Sequence, residues 1–162
     1  MTSELGSPTE TDSRVVDRVD VRGPRFAAWV TTAVLVTALA VSTVSLGAAA
    51  AILGAQAVVF AIGAVGGPRK HPYGLIFANL IVSHLAPVTA KEPTPPLKFA
   101  QLVGLVFAVV GAIGFASGHS TLGLIATGLA LVAAFLNAAF AICLGCQLYP
   151  LVARLRHSGA TA

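Results

Sequence analysis

Two long stretches of the chain contain no Lys, Arg, Asp or Glu: Phe26 to Pro68, and Phe99 to Ala153. As helix they would measure roughly 65 and 80 Å, against a bilayer hydrocarbon core of about 30 Å. Each is too long for one crossing and right for two. Only 10% of the 162 residues are charged and 56% are hydrophobic, whereas a soluble domain has about 25% charged residues. So few charges cannot solvate a soluble surface of this size. Disordered, collagenous and disulfide-scaffold chains are excluded by the same composition. The apolar residues run continuously and do not alternate, which excludes a membrane β-barrel.

Each stretch has a break near its middle, Gly47 in the first and Gly118-His119-Ser120-Thr121 in the second. The expected architecture is an all-α membrane protein with four transmembrane helices, at about 26–46, 49–65, 99–116 and 122–149. They form two hairpins within a four-helix bundle. Residues 19–156 are the membrane domain, 1–18 a disordered tail and 157–162 a short tail. A cleaved signal peptide fits poorly, because the first apolar run is longer than a signal core and some 25 polar residues precede it. The hairpins open alike, with Pro24-Arg25-Phe26-Ala27 and Leu97-Lys98-Phe99-Ala100, as a duplicated hairpin would.

All ten basic residues lie on one side of this arrangement: Arg14, Arg18, Arg22 and Arg25 before the first helix, Arg69, Lys70, Lys91 and Lys98 in the central loop, Arg154 and Arg156 after the last. Basic flanks mark the cytoplasmic side. The reading is a multi-pass protein of the cell inner (plasma) membrane with both termini cytoplasmic. The net charge of +4 then reflects topology and contact with an anionic lipid bilayer, not nucleic acid. Within the central loop Pro72-Tyr73-Gly74 reads as a turn, and Leu75–Leu85 as a short interfacial helix, too short to span.

Small residues commonly line helix contacts in lipid. Gly104, Ala108, Ala112 and Ala116 recur every four residues, as do Ala126, Ala130, Ala134 and Ala138; Gly63 and Gly67 offer a third stripe. These are expected to face one another; homo-oligomerisation stays open. No ionisable residue lies deep in a span, which argues against a pump or proton-coupled carrier. Gln56 and Asn137 read as interhelical hydrogen-bond partners, with Gln101 near a helix end.

The only two cysteines form Cys143-Leu144-Gly145-Cys146, placed by this reading near the cytoplasmic end of the fourth helix. Residues i and i+3 share a helix face, so the pair could be a dithiol, a disulfide or half of a metal site. Thiol–disulfide exchange or sulfur transfer fits the spacing. A helix C-terminus disfavours a thiolate, but Arg69, Lys70 and His71 would supply an electropositive rim. A cytoplasmic pair would rest reduced. Zinc needs four ligands, and no His pair completes a set, so neither metal nor cofactor is assigned. Quinone-linked disulfide oxidases share the span count and a Cys-x-x-Cys pair. Their pair faces the oxidising side and works with loop cysteines that this chain lacks.

Several runs carry a resemblance: Val19-Asp20-Val21-Arg22-Gly23-Pro24-Arg25-Phe26, Gly67-Pro68-Arg69-Lys70-His71-Pro72-Tyr73-Gly74, Phe99-Ala100-Gln101-Leu102-Val103-Gly104 and Phe140-Ala141-Ile142-Cys143-Leu144-Gly145-Cys146. Together, over about residues 18–156, the chain resembles the bacterial domain-of-unknown-function 4395 family of small membrane proteins. Val21 departs from it, standing where the family pattern has Pro, which loosens the entry to the first helix. The resemblance brings no established activity. It implies thioredoxin-like or sulfurtransferase partners, and carries over only Cys143 and Cys146. Two functions therefore stand side by side. One is thiol or sulfur handling by Cys143 and Cys146 at the cytoplasmic face; the other is a non-catalytic scaffold or accessory subunit with the cysteines as packing residues.

Overall fold

The structure is a computed structural model, and it describes residues 18–80 and 91–158. Among the described residues are six helices: α1 (Arg22–Ser42), α2 (Leu46–Gly66), α3 (Pro72–Leu80), α4 (Thr94–Ala116), α5 (Ser120–Phe140) and α6 (Leu144–Ser158). Two three-residue strands, β1 (Arg18–Asp20) and β2 (Lys91–Pro93), pair antiparallel, Val19 opposite Glu92. The tail up to residue 17 and the predicted interfacial helix beyond Leu80 lie outside the described residues.

Helices α1, α2, α4 and α5 are each long and apolar enough to cross a membrane, and mark a membrane protein. They stay helical because, away from water, only intrahelical bonds satisfy the backbone. The turn from α1 to α2 is closed by Ser45, whose side chain accepts from the Ala48 N–H, an N-cap of the usual kind. The most extensive contact is between α2 and α4, followed by α1 with α5 and α4 with α5. Chain neighbours are therefore not the best-packed partners.

The main core gathers Leu35 and Ala38 of α1, Ala49 and Leu53 of α2, Phe115 of α4 and Ala130 of α5. A second cluster joins Ala57 and Phe60 to Ala108. The small-residue stripes are only partly what the helices use. Ala108, Ala126, Ala130 and Ala138 are buried, but Ala116 is exposed. Between α4 and α5 a close backbone approach belongs to other glycines: a Cβ on Gly114 would stand 2.7 Å from the backbone nitrogen of Gly123.

At one end of the bundle two basic side chains close helix termini. Arg25 donates to the Ala138 carbonyl at 3.3 Å, and Lys98 donates to the Val65 carbonyl at 3.0 Å. Final-turn carbonyls have no partner within their own helix and carry partial negative charge, so each cation both bonds and neutralises.

The largest departure from the sequence reading is at the end of the fourth long helix. The stretch read as one helix over 122–149 is two. α5 ends at Phe140, Ala141 takes a left-handed conformation (φ 57°), and α6 begins at Leu144. The N–H groups of Ala141 and Ile142 return to the carbonyls of Asn137 and Leu136. Nothing in Phe140-Ala141-Ile142 carries a breaking signal. The turn forms because α6 finds a surface on α4, where Phe99 and Tyr149 meet edge to face at 6.0 Å.

Candidate functional site

The break between α5 and α6 relocates the cysteines. Cys143 is the residue immediately before α6 and Cys146 lies in its first turn. They form a disulfide, with Cα atoms 5.2 Å apart. The sequence reading placed the pair at the trailing end of a helix and reduced; the structure has it at the leading end and bonded. The backbone N–H of Cys146 donates to Cys143 Sγ at 3.2 Å, which is how an N-cap side chain satisfies a first-turn donor. The local field is thus opposite to the expected one, because a helix start favours negative charge on sulfur.

Both cysteines are half-buried. Gly145 between them lets α6 touch α4, since a Cβ there would lie 2.6 Å from the Cα of Ala100. Cys143 lines a cavity of about 320 Å³ whose walls come from α1, α2, α4, α5 and α6, with Gln101 and Asn137 as its amide side chains.

The residues expected to form a basic rim separate. Arg69 and Lys70 are exposed. His71 is not at a rim: it is 2% exposed, because the loop after Gly67 folds back on the bundle. There its ring presses on Gly63, where a Cβ would meet His71 Cδ2 and stand 3.1 Å from Gln101 Cδ. Burial lowers the His71 pKa below its usual 6.5, while the Gln101 side chain, within reach of the ring for a hydrogen bond, acts the other way. His71 is therefore neutral at pH 7. Neither ring nitrogen completes a hydrogen bond, and Gln101 Oε1 is also buried without a partner.

His71 also meets Tyr73 edge to face, ring centroids 5.2 Å apart. The Tyr73 hydroxyl donates to Gln56 Oε1 at 2.8 Å, so Gln56, 2% exposed, is bonded to α3 and not to another long helix. Burial raises the Tyr73 pKa. Arg69, His71 and Gln101 line a second cavity, about 210 Å³. Neither Arg69, Lys70 nor His71 reaches the cavity of Cys143; Gln101 alone of the polar side chains borders both. The group of Gln56 and His71, buried, with Tyr73 and Gln101, half-buried, was not legible as a unit, because only the fold-back of the loop assembles it. Among the described residues no three His, Cys, Asp or Glu side chains gather as a metal set would.

These features describe a small helical membrane protein with a cysteine pair at one end of its bundle. Over residues 19–154 the chain matches the family described as Domain of unknown function (DUF4395). It belongs to that family. No curated protein and no solved structure matches it.

Proposed function

We propose that the chain is a multi-pass inner-membrane protein that exchanges electrons with thiols through Cys143 and Cys146, at the cytoplasmic face with both termini cytoplasmic. The observation that carries this reading is the placement of the pair at the start of α6, half-buried and beside a cavity. A partner dithiol would open the disulfide by attack of one thiolate on one sulfur. The mixed disulfide then resolves, leaving the partner oxidised and Cys143 and Cys146 as thiols. The Cys146 N–H that now meets Cys143 Sγ would stabilise a thiolate there. Thioredoxin-like or sulfurtransferase proteins are the partner class. Exposed Arg69 and Lys70 offer charge for docking.

The test is disulfide trapping in cells. Cys143→Ser and Cys146→Ser each leave one thiol, and one of them should hold a partner as a mixed disulfide that resolves on reduction. If neither variant traps a partner and both keep full cellular function, the pair is a covalent staple for the α5–α6 turn and the protein is a scaffold. Orientation is read separately: labelling of either lone cysteine by an impermeant maleimide from outside intact cells overturns the cytoplasmic placement.

A further inference from the structure

We propose that the half-open cavity between the start of α1, the loop carrying His71, α3 and the start of α4 binds a small, uncharged, largely apolar molecule through a hydroxyl group held between His71 and Gln101. The site is distinct from the cysteine pair and does not rest on the thiol reading.

Two polar side chains define it. His71 is 2% exposed, and although Gln101 lies beside it on the same wall, neither the ring nitrogens nor Gln101 Oε1 completes a hydrogen bond within the chain. Leaving such atoms unpaired in the interior is costly, so native structures seldom do it without an occupant. A neutral imidazole presents one N–H donor and one acceptor nitrogen. A hydroxyl can accept from the His71 N–H while donating to Gln101 Oε1. A carbonyl cannot donate, and an ammonium cannot accept.

The remaining wall decides the rest of the molecule. It comprises mainly Pro24, Ala27, Phe77 and Leu97, with Arg69 as its one charged residue. At about 30 Å³ per molecule of liquid water, a cavity of about 210 Å³ holds several waters. Beyond the first or second, they would face carbon. Gly63 and Gly74 keep the floor open: a Cβ on Gly63 would collide with the His71 ring, and one on Gly74 would stand 2.5 Å from the Pro68 carbonyl oxygen. Apart from the exposed Arg69 the lining offers no charge, so an ionised ligand would leave water for an almost wholly apolar wall.

The test uses the full chain in lipid nanodiscs with three probes of matched shape: 4-propylphenol, 4-propylanisole and 4-propylbenzoate. The readout is the His71 ring resonance at neutral pH, assigned by its absence in His71→Phe. The phenol is expected to shift that resonance saturably. The anisole, which cannot donate, and the benzoate should each bind about tenfold more weakly or worse, a difference of about 1.4 kcal/mol. Gln101→Leu should bring the phenol down to the level of the anisole. The three probes are compared on the unmodified protein, and His71→Gln supplies the assignment if His71→Phe fails to fold. Equal response to phenol and anisole would mean simple partitioning and overturn the proposal. A His71 resonance indifferent to all three would show that water alone fills the cavity. Tighter binding of benzoate would replace the uncharged ligand with an anion.

Discussion

Phe26 on α1 meets Phe77 on α3 at 5.6 Å, and Phe99 on α4 meets Tyr149 on α6 at 6.0 Å. The two halves of the bundle repeat this plan throughout. In each, a second long helix ends, a residue with positive φ reverses the chain (Gly67 at 77°, Ala141 at 57°), and a shorter helix packs back on the first. Arg25 caps α5 and Lys98 caps α2, each from the first helix of the other half. What differs is the residue turned inward just after the reversal. In one half it is His71, neutral and buried; in the other it is Cys143, bonded to Cys146. A common scaffold thus presents a buried imidazole at one place and a disulfide at its counterpart.

The sharpest way to break the correspondence is at the glycines where each short helix meets a long one. Gly145→Val pushes a side chain into the backbone of Ala100, and should cost about 3 kcal/mol, seen as a lowered thermal midpoint and faster reduction of the disulfide. Gly23→Val, under α3, is expected to be much milder, because its Cβ would meet only Phe77, at 3.7 Å. Equal losses would mean that the short helices are held in the same way.

Next come the caps. Arg25→Met and Lys98→Met should each lower stability by about 0.5–1 kcal/mol, by similar amounts. A loss confined to one would show that only one half depends on its cross-cap.

The pH response separates the halves. Burial depresses the folded His71 pKa below 6.5, so the unfolded chain binds that proton more readily. Its contribution is complete above about pH 7 and is lost as pH falls through 6.5 towards the folded value. Thermal scans from pH 7.5 to 5 should show a falling midpoint. His71→Phe should flatten that fall, while Cys143→Ser should leave it unchanged.

The smallest effect concerns the reversals themselves. A left-handed non-glycine residue costs about 1–2 kcal/mol, and glycine gives back part of any gain through the unfolded chain. Ala141→Gly should therefore stabilise by less than about 1 kcal/mol.

Sequence periodicity and charge located four long apolar helices because burial in lipid is a property of contiguous residues. Arg25 and Lys98 were visible as matching helix starts, although their reach to Ala138 and Val65 was not. The α5–α6 break escaped because Ala141 carries no mark of the conformation it adopts. Gly114 against Gly123 and His71 against Gly63 and Gln101 are juxtapositions of distant segments, and no local pattern encodes them. The cysteine pair was conspicuous in the sequence, but its environment depended on that unseen break.

The pairing of α2 with α4 also sets an order of assembly. α2 leaves the ribosome well before α4, so Phe60 and its neighbours on that face wait in the membrane for a partner not yet made. Once α4 arrives, it covers them and brings Lys98 to the end of α2. Biogenesis is then a docking of an early half and a late half. Halves made as separate chains have the contacts they need to find each other.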